Sequence, residues 1–373
     1  VRQLGLLSGS LLDRGSNLTT LEDPLFDNMS ERANVRTIRP PAFVRHRFRE
    51  WLAVRSQVSE CDTLLWMQKS TRPSPPIHLA ALSKPSARRS AFVIDPWKYS
   101  VSRVGYSSLI HRFDPCFIPY SEAFLDLKRA FSSARFSYMP YAADTSTFFP
   151  RSEDKSIFAF WMGRRDEPLH RALLRYCSER NLEYVYSNEG RYSRDSLGCL
   201  ASSARYFVVT PPQPERSGGY SPIVMRYFEG LAAGARLLGV LPKSGEYERM
   251  LPLNAICQVA PDGSDLAQRL DEDRENSENQ TIVKLACALV HRHHSLRRRA
   301  EQIYDRLERN VEIDIPLPDV ALSELVQEQP RPAGRRVSWV DGSRPSTPTA
   351  ARGRVAAGGA ARPEQAAREA RSP

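Results

Sequence analysis

The feature that most constrains this chain is a repeated beat. From residue 156 to residue 260, strand-like apolar runs alternate with stretches of helical spacing. "SIFAFWMG" (156–163) leads into "EPLHRALLRYCSERN" (167–181), then come "LEYVYSN" (182–188), "RDSLGCLASSA" (194–204) and "RYFVVTP" (205–211). After a further helix come "ARLLGVL" (235–241), the short helix "GEYERML" (245–251) and "AICQVA" (255–260). Strands separated by helices return in the same direction, so the pattern predicts a parallel sheet. One long helix over 282–310 is expected to close this unit.

The same rhythm is weaker upstream. "DTLLWMQ" (62–68), "SAFVIDPW" (90–97) and "CFIPY" (116–120) read as short buried strands. "SEAFLDLKRAFSSA" (121–134) reads as a helix with Ser121 as N-cap and Glu122 at its positive end. "FVRHRFREWLAVRS" (43–56) has the spacing of a basic amphipathic helix, whereas the rest of residues 1 to about 60 gives no readable strand. "FSYMPYAADTSTFFPRSEDK" (136–155) breaks the beat with prolines and small residues and reads as a connection. The expected organisation is a short, truncated-looking α/β domain over 1–137, a linker over 138–155, a second α/β domain over 156–329, and a tail over 330–373. That tail is rich in Ala, Arg, Pro, Gly and Ser and is expected to be disordered, because it cannot bury enough apolar surface to offset its chain entropy.

The 373 residues suffice for two cores. The tail holds nine arginines against Asp341, Glu364 and Glu369, so +6 of the formal +10 charge sits there and a general nucleic-acid-binding reading loses its support. Cys61, Cys116, Cys177, Cys199, Cys257 and Cys287 lie far apart without a CxxC, as expected for reduced, buried residues. The chain opens with Val, shows no basic-then-apolar leader, and has no run of apolar residues long enough to span a bilayer. A cytoplasmic protein is the simplest expectation.

"SPIVMRYFEGLAAGARLLG" (221–239) is the most informative stretch. Gly218 and Gly219 permit a tight turn and close approach of a ligand to the backbone. Ser221 and Pro222 suit the N-cap and first position of a helix whose N–H groups and dipole favour a phosphate. Arg226 and Glu229, three apart, share a helix face, and Gly234 suits the stop. The plainer reading is an ordinary βαβ element carrying a solvated Arg–Glu pair.

The stretch resembles the nucleotide-sugar segment of GT-B glycosyltransferases, closest to the family-4-like and spore-coat-maturation-like groups with "R-x-x-E-x-x-A-x-G" before a strand. "IFAFWMGRRDEPLHRALLRYC" (157–177) is similar to the first strand, turn and helix of their C-terminal domain, and "YMPYAADTSTFFP" (138–150) to their interdomain segment. "HRHHSLRRRAEQI" (291–303) fits their ending. The resemblance implies two Rossmann-like parallel-sheet domains facing a cleft, a nucleoside-diphosphate-sugar donor, and transfer without a cofactor or metal to a saccharide, lipid-linked or protein acceptor. It implies Glu229 as the ribose ligand, Gly219, Tyr220 and Ser221 facing the diphosphate, Arg226 in support, and Arg164 as the diphosphate-binding arginine.

Ser221 stands where many members have a second glutamate, and the lysine that usually follows the phosphate arginine has only Arg165 and Arg171 for neighbours. A non-catalytic nucleotide-sugar-binding or interaction protein therefore stays open. Asp95, at the end of a strand, is the candidate general base, ahead of His78 and His111. "DED" (271–273) reads as a solvated loop and "HRHH" (291–294) as a solvated or interdomain face, neither as a metal site. "RRRAEQIYDRLERN" (297–310) reads as a solvated helix first, with a basic side open to peripheral membrane contact as the alternative.

Overall fold

Among the described residues every strand pairing is parallel, as the alternation predicts. The structure, a computed structural model, describes residues 3–7, 19–32, 34–38, 47–69, 88–101, 112–187, 192–313 and 315. The tail over 330–373, His78 and His111 lie outside the described residues.

The first domain runs β1 (Leu4–Leu7), α1 (Thr19–Ser30), β2 (Val35–Ile38), α2 (Arg47–Ser59), β3 (Thr63–Lys69), β4 (Arg88–Ile94), α3 (Lys98–Val101), β5 (Cys116–Ile118), α4 (Ser121–Ala130) and β6 (Phe136–Tyr138). Its sheet has the order β2-β1-β3-β4-β5-β6. The unreadable N-terminal stretch thus supplies an interior strand: β1 pairs with both β2 and β3 and is buried throughout. Four residues are too few to show a period, which is why sequence missed it. Tyr138, expected in the linker, ends β6, where it pairs with Ile118.

The second domain runs β7 (Ile157–Met162), α5 (Glu167–Glu179), β8 (Tyr184–Ser187), α6 (Arg194–Ser203), β9 (Ala204–Val209), α7 (Pro214–Ser217), α8 (Met225–Ala232), β10 (Arg236–Gly239), α9 (Glu246–Met250), β11 (Ile256–Gln258), α10 (Leu266–Glu275), α11 (Asn279–His293) and α12 (Leu296–Glu308). Its sheet has the order β11-β10-β9-β7-β8. Asp166 caps α5 through a hydrogen bond from Leu169 N, with Pro168 in the first turn. Leu169, Leu173, Tyr176 and Cys177 then recur at helical spacing and bury one face against β7 and β9. Burying each such leucine stabilises by roughly 2 kcal/mol.

The single helix expected over 282–310 is two helices. The chain breaks at His294–Ser295, where Ala143 N donates to His294 O at 2.9 Å and Leu296 N donates to Ala143 O at 2.8 Å. Ser295 Oγ then caps α12 by accepting from Arg298 N at 3.2 Å. The linker thereby competes for backbone groups that a continuous helix would use. α12 crosses back to the first domain, where Tyr304 donates to Asn34 Oδ1 at 2.9 Å and Arg88 donates to Leu307 O. Arg299 is 2% exposed and spans the junction, donating to Pro140 O at 2.9 Å and His293 O at 3.0 Å.

The cysteines are free. Five are buried as expected, whereas Cys199 is exposed on α6.

Candidate active site

In both sheets the chain reverses direction of assembly between its first and third strands, β1/β3 and β7/β9. Ligands of such sheets bind at the carboxyl ends of the strands near these switch points. At the second one, β7 ends at Met162 and Gly163 turns the chain with φ of +82°. Three donors pin this turn. Arg226 Nη1 donates to Met162 O and Arg164 O, both at 3.2 Å; Trp161 Nε1 donates to Arg164 O at 3.1 Å, and Tyr186 donates to Gly163 O at 3.1 Å. The Arg164 side chain is left exposed, with no hydrogen bond or ion pair among the described residues. Its neighbour Arg165 is engaged with Glu167 and His170.

The next loop differs from expectation. α8 begins at Met225 with Val224 as its N-cap, so Ser221 and Pro222 do not start the helix. Ser221 N donates to Glu122 Oε2 at 2.7 Å, Ser221 Oγ accepts from Lys243 N at 2.9 Å, and Ile223 N donates to Glu246 Oε2 at 2.8 Å. The carboxylate acceptors Glu122 and Glu246 favour these bonds over a helical turn and keep 221–224 out of the helix. Among the described residues the N–H groups of Val224 and Met225 have no acceptor. Tyr220 is buried and donates to Asp126 Oδ2 at 2.5 Å. Tyr220 and Ser221 are therefore engaged with α4 of the first domain. Gly219 N is bonded to Pro214 O at 3.0 Å, but a Cβ on Gly219 would meet nothing within 4 Å. Gly218 has φ of +69°, and a Cβ there would fall 2.8 Å from Lys98 Cβ of the first domain.

Glu229 is not the solvated partner of Arg226. It is 4% exposed, and its side chain makes no hydrogen bond or ion pair among the described residues. Burial raises its carboxyl to about 7; Arg226 and Arg194 oppose the rise and Asp144 adds to it. Asp144 lies in a filled network, accepting from Ser146 Oγ at 2.6 Å, Thr147 Oγ1 at 2.5 Å and Arg194. A cavity of about 290 Å³ shares Ser146, Thr147 and Arg194 with this network and is otherwise lined by Asp195 and by Pro24, Asp27 and Asn28 of α1. Leaving a buried carboxylate unbonded is costly, so such groups concentrate at ligand sites.

Across the cleft, Asp95 follows β4 with φ of +51°. Its Oδ1 accepts from Tyr120 at 2.7 Å and from Tyr141 at 3.2 Å, and Asp95 N donates to the Tyr141 hydroxyl at 3.0 Å. Both tyrosines are buried, and burial followed by the Asp95 charge pushes their phenols well above the ordinary range. Three residues further on, Lys98 Nζ lies 6.0 Å from the centre of the Tyr220 ring. Asp95 thus stands on the strand edge that meets the Gly218–Ser221 loop.

The remaining motifs are structural. "DED" is part of α10 and not a loop: half-buried Asp273 pairs with buried Arg236 at 2.6 Å, and Asp271 accepts from Tyr176 at 2.6 Å. His291 donates to Ala232 O at 3.0 Å, and His294 is buried with its ring pushed towards neutrality, first by burial and then by Arg299. Among the described residues no three His, Cys, Asp or Glu side chains converge as metal ligands, and no helix is long and apolar enough to cross a membrane. The basic side of α12 is largely paired, Arg298 with Glu301 at 3.0 Å and Arg309 with Asp305 at 3.4 Å, while Arg299 points inward. Sequence reasoning missed Glu246, whose partners Ser121 and Tyr138 lie 125 and 108 residues away.

Residues 167–305 match the family model described as glycosyl transferase-like. No curated protein matches the sequence. Among solved structures, the sucrose-phosphate synthase of Thermosynechococcus elongatus is similar at TM-score 0.53 and 12% identity, covering 83% of this chain and all of its own. AviGT4, a glycosyltransferase of avilamycin A biosynthesis, is similar at TM-score 0.51 and 13% identity over 83% of this chain and 99% of its own. S. aureus MnaA, solved with UDP, is similar at TM-score 0.51 and 11% identity over 83% of this chain and 97% of its own. Two parallel-sheet domains meeting at their carboxyl edges, closed by a helix that crosses back, define the GT-B class. Within that fold, residues 167–305 are glycosyl transferase-like.

Proposed function

We propose that the enzyme transfers a sugar from a nucleoside-diphosphate sugar to an acceptor hydroxyl, without a metal ion. The donor is bound mainly by residues 156–310, and the acceptor, on a saccharide, lipid or protein, lies against residues 1–135. The observation that carries this reading is Glu229, a buried carboxylate without a partner among the described residues, one turn from Arg226 and from the helix start. Such a group gains most from a neutral ligand that brings hydroxyl donors, and the ribose of a nucleotide brings two. The diphosphate then meets the N–H groups of Val224 and Met225 and the Arg164 guanidinium, with Gly219 leaving room for its approach. UDP in the MnaA structure is in keeping with a nucleoside-diphosphate ligand for this fold.

Asp95 takes the proton of the acceptor hydroxyl as its oxygen attacks the anomeric carbon. The bond from that carbon to the diphosphate oxygen breaks, and the charge that grows on the leaving phosphate is met by Arg164 and the helix N-terminus. The helix N-terminus is held in place before the reaction and Arg164 carries a permanent charge, so the proposed reaction neutralises its leaving group without a metal. A thermal-shift titration with a panel of nucleoside-diphosphate sugars tests the reading. At least one should raise the melting temperature, and Glu229→Ala should weaken that donor by at least about tenfold, as expected on losing charge-assisted hydrogen bonds. Unchanged affinity in the variant, or no response to any donor, would overturn it.

A further inference from the structure

Glu246 opens α9, and its side chain is fully buried. Four donors converge on its carboxylate, two from each domain. Oε1 accepts from Ser121 N at 2.6 Å and from Tyr138 at 2.9 Å; Oε2 accepts from Ile223 N at 2.8 Å and from Ser244 Oγ at 3.0 Å. Ser121, expected to cap α4 with its own side chain, is instead the first helical residue, and this foreign carboxylate satisfies its N–H.

Each main-chain donor adjoins a part of the proposed reaction. Ser121 follows Tyr120, whose hydroxyl holds Asp95. Ile223 precedes Val224 and Met225, the start of the donor helix. One carboxylate therefore ties the candidate base to the donor loop. Further contacts run alongside it, from Ser221 N to Glu122 and from Tyr220 to Asp126.

We propose that Glu246 is a positioning residue for transfer, setting the separation between Asp95 and the donor's anomeric carbon by fixing α4 and the 221–224 loop to one another. The catalytic part of this rests on the donor-and-base reading above; the tie between the domains does not. A carboxylate suits the task because both oxygens accept and neither donates. Glutamine offers one accepting oxygen, so whichever way its amide turns, its NH₂ faces the N–H of either Ser121 or Ile223. A displacement of the order of an ångström at the reacting groups costs on the order of 10²-fold in rate.

The test uses Glu246→Gln, Tyr138→Phe and Ser244→Ala. Amide exchange at Ser121 and Ile223 is followed by mass spectrometry, and donor affinity and turnover are measured separately. In Glu246→Gln at least one of the two amides should exchange faster, turnover should fall at least about tenfold, and donor affinity should stay within about threefold. Tyr138→Phe removes a bond between the domains and should lower turnover with donor affinity intact. Ser244→Ala removes a bond within one domain and should leave turnover within about twofold. These two keep the carboxylate and carry the test even where Glu246→Gln does not fold. Parallel loss of affinity and turnover would make Glu246 a mere support of the donor pocket, and unchanged exchange at both amides would remove the tie. Exchange is read without activity, so its failure is distinct from failure of the proposed reaction.

Discussion

Arg226 and Glu229 lie one turn apart on the same short helix and form no ion pair with each other. The Arg226 guanidinium is directed to the carbonyls of Met162 and Arg164, 3.2 Å from each, whereas Glu229 is buried and its carboxylate makes no hydrogen bond or ion pair among the described residues. The arginine holds the strand end in shape, and in the proposed function the glutamate serves the ligand. Division of labour explains a pairing that would otherwise be an ordinary surface ion pair worth about 0.5 kcal/mol.

The Glu229 carboxyl is raised from its ordinary 4.5 to about 7, chiefly by burial. A group whose folded-state value is raised contributes stability that is fully present below 4.5 and is lost as pH rises through about 7. Glu229→Gln keeps the shape and stays neutral. Its melting temperature relative to the parent protein should therefore rise progressively across that window, as measured by calorimetry at a series of pH values. Donor affinity of the parent should increase over the same window, as the carboxylate charges and accepts the ribose hydroxyls.

Arg164 is expected to serve the departing diphosphate more than the resting donor. Arg164→Ala should lower turnover on the order of 10²-fold, with a smaller loss of donor affinity. Lysine should rescue in part, since it keeps the charge and loses the two-pronged contact. Single-turnover kinetics with separately measured affinities check this. A large fall in affinity with turnover intact would assign the residue to ground-state binding.

Tyr120 and Tyr141 both donate to Asp95 Oδ1, and such bonds favour the charged carboxylate. Replacing both with phenylalanine should move the acid limb of the kcat/KM profile to higher pH and leave the donor's thermal shift unchanged. An unmoved limb with normal activity would remove Asp95 as the base.

Gly239 ends β10 with φ of +150°, and a Cβ there would fall 1.8 Å from the Val209 carbonyl oxygen. No side chain can yield to relieve this, so Gly239→Ala should cost at least about 3 kcal/mol in urea unfolding or prevent folding. Gly219→Ala meets open space and should cost only about 1 kcal/mol, the penalty of its positive φ. Equal effects would contradict the close strand approach at Gly239.

Periodicity and punctuation by themselves determined the parallel α/β architecture, the strand-to-helix beat after residue 156 and the shared helix face of Arg226 and Glu229, and the family resemblance added the turn at Gly163. These are local properties: apolar spacing within a dozen residues, and glycine where φ is positive. Only the tertiary structure decided where α8 begins, because the N–H of Ser221 is held by Glu122, 99 residues earlier in the chain. It likewise decided that one long helix breaks at His294–Ser295, through backbone bonds to Ala143. Nothing in "SGEYERM" marks Glu246 as the group that joins two domains. Its significance comes from donors 125 and 108 residues away, and a carboxylate among distant backbone N–H groups leaves no periodic trace in the chain that supplies it.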